Sequence, residues 1–142
     1  MIKKIDVFII IINIIFFAYY AIQLLVFTNE FAINNLGFFN HAVAGLSEII
    51  GIIFTTFIIA LLIMVFRGLE KQLPLISIIT LFQILAALNF WRYVFTDSPG
   101  ETNLTIITIN ALFFSIMSCL NLILISKNIN AVSYTHLTLP TR

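Results

Sequence analysis

Long apolar runs alternate with short polar breaks along this chain, and the runs are far too long for strands. The first extends from Val7 to Phe27, interrupted only by Asn13, Gln23 and the tyrosines Tyr19 and Tyr20. At about 1.5 Å per residue it would span about 31 Å, the thickness of a bilayer's hydrocarbon core. The second runs from Ala42 to Phe66 and is closed by Arg67-Gly68. The third opens at Leu75 behind Pro74, a residue suited to a helix's first turn, and reaches Phe95. It stops at Asp97-Ser98-Pro99-Gly100, a strong turn signal. The fourth runs from Leu104 to Ile125, ahead of Ser126-Lys127. Strands of a membrane barrel would be about ten alternating residues, so the pattern predicts helices throughout. The expected architecture is an all-α, integral membrane, four-helix up-down bundle. Residues 1–130 form its single domain, with spans at about 7–27, 42–66, 75–95 and 104–125. Lys3 and Lys4 precede the first run as in a signal peptide, but the run exceeds a signal's apolar region and no small-x-small site follows. An uncleaved helix is expected.

Composition agrees with the pattern. The 142 residues are 61% hydrophobic and 9% charged, with mean hydropathy +1.13. A soluble domain is nearer half apolar and a quarter charged, so lipid must solvate much of this chain. The net charge is +1 and the basic residues are dispersed, which leaves no footprint for nucleic acid. The single cysteine, Cys119, rules out an internal disulfide.

The last residues break the trend. In the stretch from Val132 to Thr141 isoleucine vanishes and polar β-formers appear. Back-translated as GTC TCT TAT ACA CAT CTG ACG CTG CCG ACG, it reproduces a transposase adapter used in DNA library preparation. Residues 131–142 are therefore read as a non-native tail with Ala131 at the junction, and they are excluded from fold reasoning. His136 and Arg142 carry no weight on this reading, and the natural chain continues past Asn130.

The basic residues orient the bundle. Lys3, Lys4, Arg67, Lys71 and Lys127 fall on one side, and Arg92 alone on the other. The positive-inside rule places both termini in the cytoplasm and the chain in the cell inner (cytoplasmic) membrane as a multi-pass protein. Trp91, Tyr93, Tyr19 and Tyr20 then sit near outer helix ends, as an aromatic belt would.

Polar groups inside the spans are the functional leads, because hydrocarbon disfavours them. Glu48 lies about six residues into the second span, roughly 9 Å deep. Arg92 lies about a turn inside the outer end of the third. Both occupy the outer half on helices joined by a short connection, so they are expected to face inward and pair. The bland reading is an ion pair that fixes packing; the functional one is a ligand site at Glu48, Arg92, His41, Asn89 and Gln23. His41, two turns before Glu48, lacks the second histidine or nearby cysteine that a metal or haem site needs. Thr105, Thr108 and Asn110 are further outer-half polar groups; Asn13, Ser77, Thr80, Ser118, Cys119 and Asn121 are the inner-half ones. Two small-residue ridges, Ala111-Ser115-Cys119 on the fourth helix and Ala44, Gly45, Ser47 and Gly51 on the second, predict close helix approach.

The stretch His41-Ala42-Val43-Ala44-Gly45-Leu46-Ser47-Glu48-Ile49-Ile50-Gly51, entered from a polar first loop, resembles the second-helix start of small four-helix bacterial membrane proteins of the DoxX-like kind. The resemblance implies the fold and carries over no catalytic residue. Three function classes follow. The first is an accessory protein acting on a membrane partner or as a homo-oligomer. The second binds or carries a small apolar ligand, lipid or quinone in an outer-half cavity near Glu48 and Arg92. The third, a membrane redox enzyme, requires a cofactor site that the sequence does not display. No catalytic, metal or cofactor motif is present in the sequence.

Overall fold

The computed structural model describes residues 4–69, 72–97, 100 and 102–137, with side chains among them from Ile5 to Ile129. Its helices are α1 (Lys4–Leu25), α2 (Thr28–Leu36), α3 (His41–Arg67), α4 (Leu73–Phe95) and α5 (Leu104–Leu137). Four of these, α1, α3, α4 and α5, are long and apolar enough to cross a membrane. The protein is an all-α, multi-pass membrane bundle. The expected spans are each present, to within a few residues at most ends, but α5 runs on to Leu137. The backbone of the adapter-like stretch therefore continues the helix that far, and residues 138–142 lie outside the described residues.

Both faces of the helices are apolar, as lipid solvation demands. On α1, Ile10, Asn13, Phe17, Tyr20 and Leu24 are buried, while Phe8, Ile11, Ile15, Tyr19 and Ile22 are exposed at the same helical spacing. In water such an exposed stripe would be an aggregation surface; in a bilayer it meets acyl chains.

The helix ends follow local chemistry. Asn40 caps α3, its Oδ1 accepting from the Val43 amide at 2.9 Å. Gly37 ends α2 in the left-handed region (φ 77°), a conformation glycine adopts without strain. Pro74 occupies the first turn of α4, as expected. The polar first loop of the sequence reading proves to be mostly helix. Thr28–Leu36 forms α2, which buries Ala32 and packs against α1 and α3. α2 thus marks one end of the bundle, the α2 end.

Helix pairing departs from expectation. The backbones of α1 and α3 run close together, as do those of α4 and α5, whereas α3 and α4 stand apart despite their short connection. The reason is side-chain size. Gly51 lets α3 approach α1 so closely that an added Cβ would lie 2.6 Å from Leu25 Cγ and 3.2 Å from Leu24 Cβ. Between α3 and α4 stand phenylalanines instead, with Phe54 and Phe57 packing on Phe82 at ring distances of 5.7 and 5.1 Å.

The α5 ridge is also corrected. Ala111 is buried, but Cys119 is exposed, so the inward stripe is Ile107, Ala111, Phe114, Ser118 and Asn121. On α3, Ser47 and Gly51 belong to the buried stripe with Phe54 and Leu61, while Gly45 faces open space.

Candidate functional site

Three layers stack along the bundle axis. The first is polar. Asn13, Gln83 and Asn121, from α1, α4 and α5, are each fully buried and joined by their side-chain amides. Asn13 Nδ2 donates to Asn121 Oδ1 at 2.9 Å, and Asn121 Nδ2 donates back to Asn13 Oδ1 at 3.1 Å. Gln83 Nε2 donates to Asn13 Oδ1, and Asn121 Nδ2 to Gln83 Oε1, both at 2.9 Å. The second proton of Asn13 Nδ2 goes to the Ile9 carbonyl at 2.9 Å. Among the described residues no fully enclosed side-chain nitrogen or oxygen lacks a partner. The triad is a neutral lock between three helices, since amides satisfy one another in hydrocarbon without the desolvation penalty of a charge.

Above the triad lies an aromatic layer. Phe16 meets Phe114 edge-on at 4.9 Å, and Phe17 packs on Phe54 at 5.4 Å and on Phe57 at 5.2 Å. Tyr20 closes this layer, with its ring 5.9 Å from Phe54 and 5.5 Å from Phe114. Its hydroxyl donates to Asn110 Oδ1 on α5. Tyr20 is 7% exposed, so it is not part of a surface belt; Tyr19, 60% exposed, can be. Trp91 likewise turns inward, donating from Nε1 to Ser115 Oγ at 3.0 Å.

Toward the α2 end lies a cavity of about 630 Å³. Its floor is Tyr20, Phe54 and Phe114, its roof is Phe31, Asn35 and Leu36 of α2 with Phe38, and its walls include Ser47, Phe90, Tyr93 and Asn110. The lining is predominantly apolar with a few polar groups, and its size suits a drug-sized molecule.

The five candidate residues do not line this cavity. Glu48 and Arg92 are both exposed, and no ion pair joins them. Arg92 instead rests on the Tyr93 ring, 4.5 Å from its centroid, with Asn89 Oδ1 3.4 Å from Nη2. Asn89 is exposed and His41 is exposed at the first residue of α3; Gln23 is half-buried on α1. Of the five, only Arg92 and Asn89 come together. The misplacement of Glu48 is one of helical phase. Ser47, Gly51 and Phe54 define the buried stripe, and Glu48 follows Ser47 by about 100° around the helix, outside the stripe. Depth also matters less than expected. The 27 residues of α3 make about 40 Å, longer than the roughly 30 Å core, so Glu48 lies about one turn inside the hydrocarbon. Arg92, three residues from the end of α4, reaches the interface through its long side chain.

Sequence reasoning missed Gln83 as a polar partner and Ser47 as a cavity-lining hydroxyl, and took Tyr20 for a surface residue. Heptad spacing along one face marks Tyr20, seven residues from Asn13, and Ser47, seven from Phe54. No protein-family model, curated protein or solved structure matches this chain.

Proposed function

We propose that the protein binds or carries a small, largely apolar ligand in the cavity at the α2 end. The observation that carries the reading is the cavity itself: about 630 Å³, walled by aromatic and aliphatic side chains, with a few polar groups among them. The residues around it differ from those read from the sequence, with Tyr20, Asn110, Ser47 and Asn35 replacing Glu48, Arg92, His41, Asn89 and Gln23. An accessory role draws support from Glu48, a carboxylate exposed on an apolar helix with no partner among the described residues, where a second protein chain would shield it.

One measurement separates the two. Native mass spectrometry of protein purified in mild detergent is expected to show a bound small molecule, and Val43→Phe, which fills the cavity, is expected to lower its occupancy about tenfold. A second chain in the spectrum, with no small-molecule mass, would favour the accessory role and defeat the ligand reading.

The same proposal places the protein in the cytoplasmic membrane with both termini in the cytoplasm and the α2 end outside. Arg67 and Lys127 lie at the opposite end from Arg92, in the sense of the positive-inside rule. In a Cys119→Ser background, single cysteines at Asn34 and Gly100 are expected to react with an impermeant maleimide in intact cells, and one at Gln72 is not. Labelling at Gln72 alone reverses the orientation.

A further inference from the structure

We infer that the cavity selects an uncharged ligand whose polar end is a hydrogen-bond acceptor of the ketone or ester class, received by Ser47 and Asn110. The inference rests on the cavity being the binding site, and it concerns what that site recognises.

Ser47 is the first observation. It is 6% exposed and lines the cavity. The other two buried serine and threonine side chains donate to carbonyls of their own helix, Thr80 to Ile76 and Ser118 to Ser115. Thr55, Thr108 and Ser115 do the same. Ser47 makes no such bond and has no hydrogen-bond partner among the described residues, yet no enclosed side-chain oxygen is left unsatisfied. Its oxygen is therefore not sealed in protein, and the space it opens onto is the cavity.

Asn110 is the second. Its Oδ1 is taken by the Tyr20 hydroxyl, which fixes the amide and leaves the Nδ2 protons without a partner among the described residues. Asn110 is half-buried, and an amide that has spent its acceptor on a neighbour offers donors. Phe54 and Phe114 both pack on Tyr20 and so mark one floor. Ser47 stands seven residues from Phe54 and Asn110 four from Phe114, on helices that run in the same direction. That puts the two donors about 10 and 6 Å above the floor, at neighbouring heights on different helices.

Charge is the third. No charged side chain lines the cavity among the described residues. A carboxylate, phosphate or ammonium would lose its hydration there without a counter-charge, whereas a carbonyl needs only the donors present. The route of entry agrees. Leu46 and Ile50 line the cavity and are also 62% and 42% exposed on the apolar flank of α3, so the site communicates with the bilayer rather than only with water.

Three near-isosteric probes test this in nanodiscs by calorimetric titration: 2-acetylnaphthalene, 2-isopropenylnaphthalene and 2-naphthoate. They share a ring system and differ in the acceptor and the charge. The ketone is expected to bind about tenfold more tightly than either of the others, the worth of one or two hydrogen bonds. Ser47→Ala and Asn110→Leu are each expected to reduce the ratio of ketone to hydrocarbon affinity toward one. Equal affinity for ketone and hydrocarbon, or tightest binding of the carboxylate, would overturn the inference while leaving the cavity as a binding site. Binding of all three unchanged by Val43→Phe would overturn the cavity reading, and this inference with it.

Discussion

Gly51→Leu is expected to be among the most damaging single substitutions in this protein, lowering stability by about 3 kcal/mol. A Cβ at this position would lie 2.6 Å from Leu25 Cγ and 3.2 Å from Leu24 Cβ. Leu25 is 39% exposed and can swing away, so alanine requires only a side-chain adjustment plus a few tenths of an ångström at Leu24. Its cost should be near 1 kcal/mol. Leucine cannot be met that way and must push α1 from α3, the pair whose backbones run closest along with α4 and α5. In a bilayer, van der Waals contact between close backbones is a main source of helix association, so separating them removes the attraction itself. Gly45 supplies the control. It lies on the same helix, and a Cβ there meets nothing within 4 Å. Gly45→Leu should leave stability unchanged or raise it slightly through helix propensity. Denaturation of both variants in mixed micelles checks the contrast, and equal losses at the two positions would remove the close-approach explanation.

The second large effect belongs to the amide triad. Asn13→Leu is expected to destabilise the bundle by about 2 kcal/mol, from three interhelical bonds at roughly 0.6 kcal/mol each plus the groups left unpaired on Gln83 and Asn121. The sharper test is non-additivity. Once Asn13 is gone, Gln83 and Asn121 keep only the bond between them, from Asn121 Nδ2 to Gln83 Oε1. Replacing all three by leucine leaves no orphaned amide, so the triple variant should be destabilised by much less than the sum of the singles. A triple loss equal to that sum would show that the three act independently and that no network exists.

Each of these sites illustrates how far the linear pattern reaches. Apolar runs of about 20 residues admit one solution in lipid, because only a helix satisfies its own backbone hydrogen bonds there. The spans, their number and the all-α class follow from that. Turn residues and helix caps are similarly local, which is why Pro74 falls in the first turn of α4 and α4 ends at Phe95, as expected. The N-terminal half of the amide triad was visible as Asn13, and its α5 partner as Asn121, but nothing along the chain paired them.

What the chain order did not contain was azimuth. An ionisable group in a span should avoid lipid, which predicts an inward Glu48, but depth alone does not fix rotation about the helix axis. Its rotation about α3 was set by Ser47, Gly51 and Phe54, one step away in sequence and about 100° away in space. Connection length misled in the same way: the short link from α3 to α4 suggested close neighbours, yet Gly51 seats α3 on α1 while bulky phenylalanines hold it off α4. The cavity lies between these unequally spaced helices, with α2 residues Phe31, Asn35 and Leu36 among its lining. Sequence by itself thus determined a four-span helical membrane protein, since burial of backbone polar groups in hydrocarbon is a constraint each segment meets alone. Only the tertiary structure decided which polar side chains meet, because their contacts depend on helix rotation and approach, quantities set by side chains on the neighbouring helices.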